Sequence, residues 1–164
     1  MRKSLLLILL FISVALITTS CAIGNGRINV DKEAEKLTEE LMECLGNNDT
    51  KGLKELFCDV VAESDGFDDD LKETVEFFEG EVDSYNIDGK ISEESKEDGK
   101  YSMAFVAVHI KDVKTSDGKT YKVRFDAFLV NQDNPEYVGI SEINIESDDE
   151  SEFKLGDYYL TDPQ

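Results

Sequence analysis

The spacing of apolar residues changes once along this chain, near Gly80. Before that point they recur every three or four positions: Ala34, Leu37, Leu41, Cys44 and Leu45, then Leu53, Leu56 and Phe57, then Leu71, Val75 and Phe78. That is the period of helices with one buried face. After it they alternate, with Tyr121, Val123, Phe125, Ala127 and Leu129 set against Lys122, Arg124 and Asp126. Alternation is the period of a strand with one buried face. Helices first and strands afterwards predict an α+β domain, three N-terminal helices covering one face of an antiparallel sheet that curls around them.

Turn and cap residues give the expected boundaries. Asp31 caps a first helix that runs to Leu45, and Gly46 stops it. Asn48 or Asp49 opens a second, and a third starts near Asp68, Asp69 and Asp70, whose charges suit a helix N-terminus, and ends at Gly80. Val82 to Ile87 reads as a strand, Asp88-Gly89 as a tight turn and Lys90 to Glu94 as its partner. Glu93 to Asp98 reads as an exposed turn or edge. Asp98-Gly99 precedes a long strand, Tyr101 to Val113, apolar on both faces, and Asp117-Gly118 is a strong hairpin signal before Tyr121 to Val130. Asn134-Pro135 turns the chain into Val138 to Ile145. From Ser147 the sequence is acidic, and Phe153 to Leu160 reads as a short edge segment or an ordered tail.

Ahead of the domain, Arg2 and Lys3 precede an apolar run, Leu5 to Ile17, followed by Thr18, Thr19, Ser20 and Cys21. As a helix that run reaches about 20 Å, short of a hydrocarbon core of about 30 Å, which favours a cleavable signal over a membrane span. Ile17 to Cys21 resembles the lipobox of bacterial lipoproteins, with Thr18 and Thr19 where that motif more often has Leu and then Ala, Ser or Thr. The resemblance implies cleavage before Cys21, a diacylglyceryl group on its sulfur, and residence at the outer face of a bacterial membrane. Two acyl chains anchor stably where one binds marginally. The competing expectation is a plainly secreted protein in which Cys21 is incidental. The expected organisation is signal peptide 1–20, tether 21–30, domain 31–147 and acidic C-terminal tail 148–164. About ten tether residues span roughly 18 Å as a coil.

The chain has 17 Lys and Arg against 37 Asp and Glu, a net charge of −20, which becomes −22 once Arg2 and Lys3 are removed. Such a surface repels phosphate backbones and anionic headgroups, so nucleic acid and a membrane-hugging face are excluded as expectations. It suits solubility beside a membrane, or a basic partner. Cys44 lies on the apolar stripe of the first helix, and a hairpin around residues 47–50 brings it nearer to position 53 than to Cys58. Two free thiols are therefore expected, with a disulfide the open alternative. There is no CxxC and no Cys/His cluster for zinc, and no cofactor is implied.

Several strings resemble a known family. Residues 47–57, Asn-Asn-Asp-Thr-Lys-Gly-Leu-Lys-Glu-Leu-Phe, are similar to the second helix of NTF2-like (cystatin-like) domains. Residues 75–85, around Val75-Glu76-Phe77-Phe78, and residues 137–143, Tyr-Val-Gly-Ile-Ser-Glu-Ile, resemble the DUF5104 family of uncharacterised bacterial lipoproteins. The resemblance spans about Asp31 to Ile145 and implies a cone-shaped fold and an extracytoplasmic place. Its motifs concern packing and turns, and no active-site residue carries over.

Chemistry-bearing candidates are few. His109, the only histidine, shares a strand face with Tyr101, Met103, Phe105 and Ala107, and Asp126 on the next strand would orient it if the register allows. NTF2-like enzymes move protons with carboxylates, Tyr or Arg inside the cone, which points to Tyr85, Arg124, Asp126 and Glu142. Asp65 to Asp70 lacks the spacing of a calcium loop and reads as helix capping, and Asp148, Asp149 and Glu150 as a solvated run. The expected function is a non-catalytic, membrane-tethered domain, linked to lipid through Cys21, that binds a small molecule or a protein. The alternatives are an acidic immunity-type inhibitor of a basic toxin, by resemblance to acidic NTF2-fold immunity proteins, and a small hydrolase or isomerase.

Overall fold

The structure, a computed structural model, describes residues 28–161. The leader, Cys21 and the expected tether through residue 27 lie outside the described residues. Four helices precede five strands: α1 (Val30–Gly46), α2 (Thr50–Leu56), α3 (Asp59–Ala62), α4 (Phe67–Phe77), β1 (Val82–Glu97), β2 (Lys100–Thr115), β3 (Thr120–Asn131), β4 (Gly139–Ser147) and β5 (Glu152–Gly156). The strands form one open antiparallel sheet in the order β1-β2-β3-β4-β5. The α+β class holds, with four helices where three were expected. Among the described residues no helix is long and apolar enough to cross a membrane.

The additional helix, α3, is a single turn and too short to register as a period. Its position comes from tertiary pairing: the Cys58 N–H just before it donates to the Ile140 carbonyl at 3.0 Å. Two caps also move. Asn29, not Asp31, caps α1, its Oδ1 accepting from the Lys32 N–H at 3.1 Å. Asp31 falls in the first turn, where its charge still favours the helix end. Gly46 is the last residue of the helix rather than its stop, and Val82 passes close to it: a Cβ would sit 2.8 Å from the Val82 nitrogen. The left-handed residue that turns the chain is Asn48, φ 53°.

In the sheet, Asp88-Gly89 is not a turn. Ile87 pairs with Ile110 and Gly89 with His109, which leaves Asp88 as the extra residue of a bulge within one long strand. A two-residue Asp-Gly hairpin needs positive φ at both positions. That condition is met ten residues later, at Asp98 (φ 49°) and Gly99 (φ 75°), between paired Glu97 and Lys100. The Asp117-Gly118 hairpin forms as expected, the Gly118 N–H donating to the Thr115 carbonyl at 2.9 Å.

One face of the sheet packs against the helices. Val106, Val108, Ile110, Val123, Phe125, Ile143 and Ile145 meet Leu41, Met42, Leu45, Leu53 and Leu71 in a continuous apolar core. Tyr121 ties α4 to the sheet: its ring stacks on Phe78 at 4.5 Å, and its hydroxyl accepts from the Glu79 N–H at 2.9 Å. Residues 152–156 of the expected tail are the fifth strand, with Leu155 buried and Phe153 against Phe77.

Candidate functional site

Because Val106, Val108 and Ile110 face the helices, Phe105, Ala107 and His109 face the other way. Paired residues of antiparallel strands share a face, so the register builds two rows there. One runs His109, Arg124, Asn144, Lys154; the next runs Ala107, Asp126, Glu142, Gly156. These rows bring together Arg124, Asp126 and Glu142, three of the residues singled out in the sequence, on the sheet face away from the helices. Tyr85 does not join them. It packs half-buried against the helix-side core, where burial, with a smaller push from Glu39 of α1, raises its pKa.

Alternation along β3 ends after Phe125: Asp126, Ala127 and Phe128 are all buried. Two features cause this. A register shift at Asp126/Ala127 leaves Ser141 unpaired on β4, and its hydroxyl donates to the Asp126 carbonyl at 3.1 Å. After β5 the chain then returns over this face. The Tyr158 N–H donates to Glu142 Oε2 at 3.2 Å, and the Tyr158 ring lies 5.8 Å from that of Phe105 on β2. Asp126, on the strand between, is left 4% exposed.

The buried carboxylate is held by one neighbour. Both of its oxygens accept from Arg124 Nη2, at 3.0 and 2.8 Å. Burial pushes the Asp126 pKa up; Arg124 opposes this, and Glu142 adds to it. Glu142 in turn meets Lys154 Nζ at 2.8 Å. The residue opposite His109 is Arg124, which takes up the Asp126 carboxylate. The register thus does not set Asp126 behind His109 as an orienting carboxylate.

A groove of about 270 Å³ opens beside this pair, lined by His109, Lys111, Lys122, Arg124, Asn144 and Glu146. Lys122 reaches Glu146 at 2.6 Å, and Lys111 pairs with Asp88, the bulge residue of β1. Sequence reasoning missed Lys122, Asn144 and Glu146 as site residues. The alternation with Arg124 and with Glu142 marked their face, but only the register joins them.

The acidic strings take other roles. Asp68 pairs with Lys54 at 2.5 Å and Asp69 with Lys72 at 2.9 Å, in the first turn of α4. Among the described residues no group of three or more His, Cys, Asp or Glu is arranged to hold a metal ion. Asp149 organises the β4–β5 turn, its carboxyl held down to about 2 by hydrogen bonds from Ser147 and Ser151. Cys44 and Cys58 are free thiols, and burial, with Asp49 and other nearby acids, pushes the Cys44 thiol up to about 11.

Helices on one face of an open five-stranded meander, with an ionic ladder on the other, define an α+β domain whose polar chemistry lies on the sheet. Residues 40–152 match the family model described as a domain of unknown function, DUF5104, and the chain belongs to that family. Comparison with curated proteins gives no match.

Proposed function

We propose that this protein is a bacterial lipoprotein with an NTF2-like domain, anchored through Cys21 at the outer face of the membrane, and that the domain binds rather than catalyses. The observation that carries the binding reading is the pair of buried Asp126 and half-exposed Arg124, with Arg124 lining the groove. Burying one carboxylate of an ion pair costs desolvation that a partly solvated partner only partly offsets, so the pair is a weak source of fold stability. Its placement instead suits orientation: Asp126 grips one nitrogen of Arg124 and leaves the rest of a half-exposed guanidinium beside the groove. Such a fork reads acceptor groups on a small molecule or a protein loop. The hydrolase or isomerase reading predicts a buried ionisable cluster inside the cone, and the apolar packing between sheet and helices supports binding over that alternative.

The anchor rests on Arg2, Lys3, the Leu5 to Ile17 run and Cys21. Its test is fractionation of bacteria expressing the full chain and its Cys21→Ala variant. The unaltered protein should sediment with membranes and be cleaved by protease added to intact cells. The variant should leave the membrane fraction; undiminished membrane association would contradict the proposal.

A further inference from the structure

β1 is the outermost strand, paired with β2 alone, so its other row of backbone N–H and C=O groups is open to a further strand. Apart from Val82, Tyr85, Gly89 and Lys90, its side chains are exposed. Register irregularities fall at Val82/Ser84, Ser84/Asn86, Ile87/Gly89 and Ser95/Lys96. Bulges commonly blunt an edge; here they bracket an unbroken run, residues 89–95, rather than interrupt it. Within that run Ile91 is 60% exposed, an apolar side chain where a protected edge would place a charge.

The charge of the edge selects its occupant. Residues 82–98 carry six acidic side chains against two lysines. Both lysines are engaged, Lys90 with Asp31 and Lys96 with Glu94 and the ring of Tyr101 at 4.2 Å. Asp83, Glu93, Glu97 and Asp98 have no ion-pair partner among the described residues. A second copy would bring together two segments that each carry a net excess of four negative charges over residues 82–98, which disfavours self-pairing. We infer that residues 89–95 accept an extended, net-basic segment of another polypeptide, added as a sixth strand with an apolar side chain over Ile91. Backbone bonds would supply affinity and the alternating side chains specificity. This goes beyond the tethered-binding reading and does not depend on Cys21.

The full chain in a non-ionic detergent is mixed with labelled peptides of about nine residues, one alternating Lys and Val, the other Glu and Val. Binding is followed by anisotropy, and backbone protection by amide hydrogen exchange. The Lys/Val peptide should protect residues 89–95 and bind at least about tenfold more tightly than the Glu/Val peptide, a preference that salt weakens. Glu93→Lys with Glu94→Lys, both exposed positions, should reverse the preference while the far-ultraviolet circular dichroism stays unchanged. Equal binding of the two peptides, protection centred elsewhere, or no protection of residues 89–95 would overturn the inference. So would protection without peptide that grows with protein concentration, which would assign the edge to a second copy.

Discussion

Asp126 and Arg124 stand two residues apart on β3, one buried and the other half-exposed, so their substitutions should differ. Burial raises the folded-state pKa of Asp126, so the neutral acid is the better tolerated form. Its ionisation leaves stability intact below the unfolded-state pKa and erodes it as pH rises through the folded one. Asp126→Asn removes that dependence. Measured by urea denaturation, the variant should gain on the unaltered protein as pH rises above the ordinary Asp pKa of about 4, and lie within about 1 kcal/mol of it at neutral pH. Arg124→Leu strands the buried carboxylate and should lose about 2 kcal/mol at neutral pH, less than a fully buried pair because Arg124 is partly solvated. Acidification should shrink that loss as Asp126 protonates. Equal effects of the two substitutions at every pH would refute the account of the pair. Cys44 makes a separate prediction at this scale. With its thiol near 11 rather than 9.0, alkylation at about pH 8 should be roughly a hundredfold slower in the folded protein than in denaturant. The chemistry of Arg124, Asp126 and Glu142 was legible in the sequence one residue at a time. Their union was not, because it follows from the bulge at Ser141 and the returning segment at Tyr158, and neither has a periodic signature.

Among the elements, those with several turns or a complete turn code were readable. The stripes of α1 and α4 and the hairpin at Asp117-Gly118 follow from spacing and from glycine's access to positive φ. Asp88-Gly89 carries the same dipeptide, yet pairing with β2 across thirteen positions holds it extended, so tertiary context overrides the local code. Likewise α3 exists because the chain at Phe57 and Cys58 bridges to Ile140, not because four residues favour a helix. That junction depends on Gly139, whose φ is 129° and whose added Cβ would lie 2.7 Å from the Cys58 nitrogen. Gly139→Ala should therefore lose about 3 kcal/mol or more, combining backbone strain with overpacking. Gly118→Ala, at φ 79° in open space, should lose only about 1 kcal/mol. Thermal unfolding of the two variants checks the contrast, and similar losses would show that the Cys58 approach is not a constraint.

The molecule as a whole combines an apolar core on one side of the sheet, an ionic groove on the other and an acidic edge strand, with acidic side chains well in excess of basic ones. The chain's net charge of −20 disfavours attraction to anionic headgroups, so the proposed residence at a membrane rests on a covalent lipid rather than on surface attraction. Whether Cys21 carries it is decided most directly by intact-mass and N-terminal peptide spectrometry of protein purified from bacterial membranes. The expected product is a chain that begins at Cys21 and bears a diacylglyceryl group on its sulfur. A chain that keeps residues 1–20, or one whose Cys21 is unmodified, would contradict it.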